Sequence, residues 1–265
     1  MFPILFYVFG FPIRSYGVML LIGFFFALLL ARSRAERFGF DKTKLTDAAF
    51  WALVFGILGA RIAFIAQELP YYLSHPKELF SIEFAGLTSF GGLLFGAGYF
   101  VWWARRQGRS AWDVLDLAAP AAFIGEAIGR VGCLLNGCCY GGVMGHVEPW
   151  AFYVGGQPHH PAQAYDTLMD FAALGVFLLI ERRGLWQGQG FALFLILDGV
   201  ARFIFEFWRA GTDAQVDAGI ATSTYWGTLP ITQAQAVAGA MIIAGGVMLW
   251  WFKHKQGAKR EAAAA

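Results

Sequence analysis

The feature that most constrains this fold is a series of long apolar segments. "GVMLLIGFFFALLLA" and "AVAGAMIIAGGVMLWWF" are typical, and each approaches the ~20 residues that cross a bilayer as a helix. The whole chain is 58% hydrophobic and only 14% charged, with a mean hydropathy of +0.53. Soluble domains carry about 25% charged residues. The sequence therefore predicts an all-α polytopic membrane protein, organised as one domain over residues 1–265.

The pattern of basic residues predicts how this protein crosses the membrane. Fourteen of the 20 Lys and Arg residues lie in alternate connections between apolar segments, and positive charge marks the cytoplasmic side. This pattern predicts an outside N-terminus, a cytoplasmic C-terminus and long outer loops near 67–86, 135–161 and 209–231. The predicted transmembrane helices number seven: 17–32, 46–66, 87–104, 114–134, 162–181, 189–208 and 232–252.

Several charged residues fall inside these apolar segments, where each costs at least ~2.5 kcal/mol at the bilayer centre. Glu126 and Arg130 are spaced i,i+4, and Asp198, Arg202 and Glu206 follow one face of the sixth span. One interpretation is that such pairs neutralise each other and hold the bundle together. The other is that the arginines bind an anionic lipid head group from the outer leaflet, because guanidinium suits phosphate. The intramembrane charges are Arg61, Glu126, Arg130, Asp166, Asp170, Asp198, Arg202 and Glu206.

Three polar positions near the outer interface have both a structural and a functional interpretation. Tyr16 begins the first span, where aromatic belts commonly place tyrosine. His160 follows His159 in "PHHPAQAY", and an imidazole is suited to general-base catalysis near neutral pH. Asn136 either caps the fourth span or donates to a substrate oxygen. The glycines of "FGILGAR" and "GLTSFGGLLFGAG" favour close helix packing.

Three cysteines follow the fourth span, at Cys133, Cys138 and Cys139. Their spacing is not that of a structural zinc site, which normally has four ligands, so we expect no metal and no cofactor. A disulfide is plausible at the outer face, and a thiolate nucleophile near Arg130 is chemically possible. Small buried cysteines that only pack are the commonest outcome.

Motifs along nearly the whole chain resemble those of the prolipoprotein diacylglyceryl transferases, and GR-x-G-x₃-NG is the most specific of them. These bacterial enzymes move a diacylglyceryl group from phosphatidylglycerol to the lipobox cysteine thiol of a preprolipoprotein, releasing glycerol 1-phosphate. The resemblance implies a multi-pass protein of the cytoplasmic (inner) membrane, with the preprolipoprotein signal peptide and membrane lipids as partners and no nucleic acid. The motifs are "YGVMLLIGF", "GAR", "SFGGLLFG", "GRVGCLLNG", "HPAQAYD" and "RFIFEFWR".

The resemblance also implies roles for individual residues. Arg130 and Arg202 would hold the donor phosphate, while Asn136, Gly141 and Glu206 would shape the site. The predicted catalytic residues are Arg130, Arg202, Glu206 and His160. The predicted substrate-binding residues are Tyr16, Arg61, Asn136, Gly141 and Asp198.

Several positions depart from the family pattern. Phe90 stands where the family usually has histidine, and Cys133 and Cys138 replace an asparagine and a glutamate. Asp198 takes the place of a common tyrosine. These departures leave the base open between His160, Glu206 and Asp198. They also leave two other functions open: a phospholipid-dependent transferase with a different acceptor, and a non-catalytic lipid-binding or transport protein.

Overall fold

The computed structural model describes residues 2–76, 88–185, 187–209 and 231–264, with side chains up to residue 255. The predicted outer loop at 67–86 is described up to residue 76, that at 209–231 lies almost entirely outside the described residues, and the loop at 135–161 is described. Most of the described chain is helical. The helices are α1 Ser15–Arg34, α2 Lys42–Gln67, α3 Leu69–Ser74, α4 Ser89–Arg106, α5 Ala111–Asn136, α6 Ala162–Glu181, α7 Gln189–Arg209 and α8 Gln233–Ala264.

Five helices within the described residues are long and apolar enough to cross a membrane, so this is a multi-pass membrane protein. They are α1 extended by a 3₁₀ turn to Phe38, then α2, α5, α6 and the Gln233–Lys255 part of α8. Helices α4 and α7 coincide with the third and sixth predicted spans. Four charged residues interrupt the apolar character of α7, and α4 is rich in glycine and ends in two arginines.

Two small antiparallel hairpins accompany the helices and were not predicted. One pairs β1 Ile4–Val8 with β2 Phe11–Arg14, and the other pairs β3 Phe152–Val154 with β4 Gln157–His159. In the second hairpin both turn residues are glycines with positive φ, 56° and 82°, as a two-residue turn of type I′ requires. The turn chemistry of "VGGQPHHP" thus forms a hairpin that leads toward α6.

The described residues fall into two compact units, of which the first contains residues 2–30 and the described residues from 118 onward. Its core lies between α5, α6 and α7, where Phe123, Phe177 and Leu193 are buried together. Helices α7 and α8 approach closely at glycine: a Cβ on Gly199 would lie 2.8 Å from the carbonyl oxygen of Ala238. This unit also contains the start of α1 and both hairpins.

The second unit contains residues 31–76 and 88–117. Asp41 caps α2 by accepting hydrogen bonds from the backbone N–H groups of Thr43 and Lys44, both at 2.9 Å. Helices α2 and α4 pack through facing glycines, because a Cβ on Gly59 would lie 2.7 Å from the carbonyl oxygen of Gly91. The sequence interpretation of these glycines as packing positions is confirmed here.

Candidate active site

Three arginines surround one buried phenylalanine in the first unit. Phe205, on α7, is fully buried, and its ring centroid lies 5.1 Å from Cζ of Arg202 and 5.7 Å from Cζ of Arg130. Arg209, at the end of α7, lies 5.9 Å from the same ring. The face of an aromatic ring attracts cations, so Phe205 offers a shared apolar platform for the guanidinium groups. The guanidiniums of the fourth and sixth predicted spans therefore converge.

Asp166, on α6, is the carboxylate that links two of these arginines. Its Oδ2 lies 2.6 Å from Nε of Arg130 and 3.6 Å from a terminal nitrogen of Arg202. The Asp166 side chain is buried, but the side chains of Arg130 and Arg202 remain 23% and 31% exposed. The arginines are therefore anchored without being sealed into ion pairs.

A cluster of three carboxyl groups lies on the same three helices. Oxygens of Glu126, Asp170 and Asp198 all lie within 4.8 Å of one another. Glu126 and Asp198 are joined by a side-chain hydrogen bond, which requires one of the two groups to carry a proton. Asp198 therefore takes part in a carboxyl–carboxyl contact between α5 and α7.

Glu206 holds the start of α8. Its Oε1 accepts a hydrogen bond of 3.2 Å from the hydroxyl of Thr232, and Glu206 is buried. Thr232 and Gln235 exchange hydrogen bonds of 3.1 Å between side chain and backbone, a reciprocal cap at the helix N-terminus. The described contacts of Glu206 thus favour a positioning role rather than a direct chemical one.

Gly141 lies where the loop after α5 meets the end of α7. Its N–H donates to the carbonyl of His160 at 2.9 Å, and the N–H of Gly142 donates to the carbonyl of Trp208 at 3.0 Å. A Cβ on Gly141 would collide with that Trp208 carbonyl and would lie 2.9 Å from Cβ of His160. Glycine is needed here because two backbone segments approach too closely for a side chain.

His160 lies on this loop, outside the predicted spans, beside the second hairpin. Its Nδ1 is buried and has no hydrogen-bond partner among the described residues. Burial, with smaller contributions from the charges of His146 and His159, lowers the pKa of His160 below its usual value of 6.5. The imidazole is therefore neutral at pH 7 and able to accept a proton.

The three cysteines converge at the end of α5 as free thiols. Their sulfur atoms lie within 4.8 Å of one another, and the Sγ atoms of Cys138 and Cys139 are 3.7 Å apart. A hydrogen bond from Cys133, assisted by one from Cys138 and by the charge of Arg209, lowers the pKa of Cys139 to about 5 although burial opposes this. No disulfide joins them, so the cluster consists of thiols beside the arginines.

Comparison with known proteins identifies the family. The family pattern of the prolipoprotein diacylglyceryl transferases matches residues 3–251. The chain belongs to this family. It is 35% identical to the phosphatidylglycerol–prolipoprotein diacylglyceryl transferase of Pseudomonas paraeruginosa over 259 residues, which cover 95% of this chain and 93% of the relative.

Two further relatives carry the same name. The protein of Photobacterium profundum is 32% identical over 256 residues, covering 94% of this chain and 92% of its own length. That of Clostridium tetani is 30% identical over 215 residues, or 78% of this chain and 85% of the relative. The resemblance found in the motifs therefore extends over almost the entire chain.

The structure brings most of the predicted diacylglyceryl transferase residues into one unit. Arg130 and Arg202 share Asp166, and Tyr16 packs on α5, where a Cβ on Gly132 would lie 3.3 Å from its ring. Asn136 is the last residue of α5.

Two positions singled out by the sequence belong to the second unit. Arg61 lies on α2, with its Cζ 5.5 Å from the centroid of the Tyr72 ring. Phe90, in the first turn of α4, is 79% exposed.

Two residues at the centre of the site were not among the predicted site residues. Asp166 was recognised only as one of several intramembrane charges, although its place in "HPAQAYD" was a usable signal. Arg209 was assigned to an outer connection, yet it follows Arg202 by seven residues, which is two helical turns along the same face. Had the sixth span been predicted to extend one residue further, Arg209 would have been recognised as a third arginine on the face of Arg202.

Proposed function

We propose that this chain transfers a diacylglyceryl group from phosphatidylglycerol to the cysteine thiol of a preprolipoprotein, with the arginines around Phe205 holding the donor phosphate. As a member of the family, the chain is a transferase that acts in lipoprotein maturation. The observation that carries the site assignment is the convergence of Arg130, Arg202 and Arg209 on one ring, with Asp166 shared by two of them.

Three guanidinium groups that converge on one ring favour an anionic ligand. Arg130 and Arg202 share one carboxylate, and Arg209 adds a further positive charge against the same ring. Positive charge in apolar surroundings is costly unless an anion compensates it. The phosphodiester of an anionic phospholipid supplies that charge and can accept paired hydrogen bonds from a guanidinium.

The same arginines suit the chemical step. The acceptor thiolate attacks the glyceryl carbon that bears the phosphate, a C–S bond forms, and the C–O bond to phosphate breaks. Negative charge grows on the departing phosphate, and guanidiniums fixed in advance stabilise it in the transition state. Glycerol 1-phosphate leaves with the bonding electron pair, and the diacylglyceryl group stays on sulfur.

A base must take the proton of the acceptor thiol. Among the three candidates, Asp198 is hydrogen-bonded to Glu126 and Glu206 to Thr232. His160 is neutral at pH 7 and lies on the loop outside the predicted spans, so we assign it the role of base. We further propose that Tyr16, Asn136 and Gly141 line the site and that Asp198 contacts substrate, while Arg61 stays a predicted substrate-binding residue.

The orientation follows from the basic residues. We propose seven transmembrane helices in a single transferase domain, with the N-terminus outside and the C-terminus in the cytoplasm of a bacterial inner membrane. The loop at 135–161, which carries His160 and Gly141, would then face the outer side. The signal peptide of the preprolipoprotein would deliver its cysteine there from the bilayer.

Purified protein tests this function. Wild type and Arg130→Ala are incubated in detergent with phosphatidylglycerol and a lipobox peptide, and mass spectrometry follows peptide lipidation and glycerol phosphate release. We expect Arg130→Ala to lower the lipidation rate at least ~100-fold, which is the usual effect of removing one hydrogen-bond donor that stabilises a transition state. Arg130→Lys keeps the positive charge and should retain part of the wild-type rate. Arg183→Ala, in the turn after α6, is the matched control. Normal lipidation by Arg130→Ala would refute the site assignment.

The exposed Phe90 motivates a second candidate, a transferase with a different acceptor. The family's usual histidine is absent at this position, and the Phe90 side chain is 79% exposed. The same assay separates the two functions. Glycerol phosphate release that depends on Arg130 without peptide lipidation would favour another acceptor.

A further inference from the structure

The sulfur atoms of the three cysteines converge close to the arginine site, where Cys139 interacts electrostatically with Arg130 and Arg209. Cys133 lies in the last turn of α5, and Cys138 and Cys139 follow directly in the loop. All three sulfurs lie within 4.8 Å of one another, and two of them are 3.7 Å apart. In tetrahedral zinc sites the Zn–S bond is ~2.3 Å, which places neighbouring sulfurs roughly 3.8 Å apart. The cluster is therefore close to one face of such a tetrahedron.

The backbone holds this loop in a conformation that directs the thiols together. Cys139 has φ of 63°, which a non-glycine residue rarely adopts, and such strain is typical of functional positions. The side-chain amide of Gln163 donates to the carbonyl of Cys138 at 2.6 Å, and the N–H of Cys138 donates to the carbonyl of Cys133 at 3.1 Å. The cluster is thus fixed to both α5 and α6.

We propose that Cys133, Cys138 and Cys139 bind one Zn²⁺ ion whose open fourth position takes the thiol of the acceptor. This inference rests on the proposed function, because the zinc ion would activate the acceptor thiol in that reaction. Catalytic zinc sites keep three protein ligands and one open position, whereas structural sites are closed by four. The sequence prediction of no metal considered only the closed type.

The chemistry balances without any redox partner. Zinc binding displaces the protons of the three cysteine thiols, and the acceptor thiol loses its own proton on coordination, which passes to His160. The zinc-bound sulfur then forms the C–S bond as the C–O bond to phosphate breaks. The product thioether is a weaker ligand than a thiolate and leaves the metal, which restores the open position.

The charges nearby suit a thiolate-rich site. Three thiolates and Zn²⁺ carry a net charge of −1, and the bound acceptor thiolate makes it −2. Arg209 and Arg130 both interact electrostatically with Cys139, so the positive cluster that would hold the donor phosphate also compensates this charge. Donor phosphate and acceptor sulfur would therefore be held by adjoining groups of residues.

Metal binding is tested independently of catalysis. The full-length protein in detergent is treated with a chelator, and Co²⁺ is added alone as a spectroscopic substitute for Zn²⁺. We expect one Co²⁺ per chain with a thiolate charge-transfer band, which shifts when a lipobox peptide is added but not when its cysteine is replaced by serine. Absence of the band, or no response to the cysteine peptide, would overturn the proposal.

Variants and activity provide the second part of the test. Loss of a group that only hydrogen-bonds to a metal ligand weakens metal binding by ~10- to 100-fold. Cys138→Ser and Cys139→Ser each remove a direct ligand, so we expect each to weaken metal binding by more than that. Because a variant could misfold, wild type is also assayed directly: chelated protein should lose activity and regain it with Zn²⁺. Full lipidation activity without metal would overturn the zinc site and leave the transferase function intact. Failure of the transferase function would instead appear as no lipidated peptide with or without Zn²⁺.

Discussion

Asp166 determines how the positive charges of the site are arranged. Its carboxylate lies 2.6 Å from Nε of Arg130 and 3.6 Å from Arg202, and without it these guanidiniums would repel each other across the Phe205 ring. Removing one partner of a buried ion pair is costly because an uncompensated charge remains. The position of both arginines therefore depends on a third residue on another helix.

Replacing Asp166 by Asn should separate the two arginines while keeping the side-chain volume. We expect kcat/KM for phosphatidylglycerol to fall by about 100-fold, since a displacement of ~1 Å in a reacting group can cost that much. The measurement is initial rates of peptide lipidation at varied donor concentration. Asp47→Asn, on the exposed surface of α2, serves as the control. An unchanged kcat/KM in Asp166→Asn would show that the ion pairs do not position the arginines.

The protonation of His160 gives a prediction about pH. Burial lowers its pKa below 6.5, so the imidazole stays neutral as the pH falls through 6.5 and becomes charged only at lower pH. An NMR titration of histidine-labelled protein, assigned with His160→Gln, should give a midpoint below 6.5. His146→Gln should raise that midpoint, because the charge of His146 contributes to the lowering. A midpoint at or above 6.5 in wild type would contradict this account.

Sequence alone could identify charged side chains but not the contacts between them. Arg130 and Arg202 were predictable because a guanidinium inside an apolar segment needs a partner or a ligand. The sharing of Asp166 depends on how α5, α6 and α7 pack, and no spacing within one helix encodes that. The convergence of the three cysteines was likewise not predictable, because it depends on the left-handed backbone conformation of Cys139.

At the scale of secondary-structure elements, hydropathy predicted the long helices closely. Helix α6 covers Ala162–Glu181, the range expected from sequence, and α1 extends the predicted 17–32 by only two residues at each end. These boundaries are predictable because apolar stretches end at charged or turn-forming residues. The hairpins were missed, since strands of three to five residues leave little periodic signal.

The packing of α2 on α4 can be tested by adding one methyl group at the contact between the two helices. Gly59→Ala would place a Cβ against the Phe95 ring and 2.7 Å from the carbonyl oxygen of Gly91. We expect a loss of roughly 1–3 kcal/mol in stability, the usual cost of overpacking. Thermal unfolding in detergent should show a lower Tm.

Gly98→Ala is the control for this packing, because nothing lies within 4 Å of a Cβ at that position of α4. Alanine is a better helix former than glycine by up to ~1 kcal/mol, so this variant should unfold at the same or a higher temperature. Equal Tm values for the two variants would mean that the glycines do not mediate the helix contact.

At the scale of the whole molecule, the site draws on sequence positions far apart. Tyr16, Arg130, Asp166 and Arg202 come from four different helices, and all belong to the first compact unit. The basic residues that set the proposed orientation lie elsewhere in the sequence, around the C-terminal ends of α1, α4 and α6 and in the C-terminal part of α8. Because orientation and site chemistry depend on different residues, each can be tested without disturbing the other.

The proposed topology predicts where reporter proteins become active. Green fluorescent protein fused after Ala265 should fluoresce because it folds in the cytoplasm, whereas alkaline phosphatase fused there should be inactive. Phosphatase inserted at Gly145, in the exposed part of the loop carrying His160, should be active because that loop faces the outer side. Gly145 suits insertion because nothing lies within 4 Å of its Cβ position. The opposite pattern would place His160 on the cytoplasmic face, where a translocated signal peptide could not deliver its cysteine.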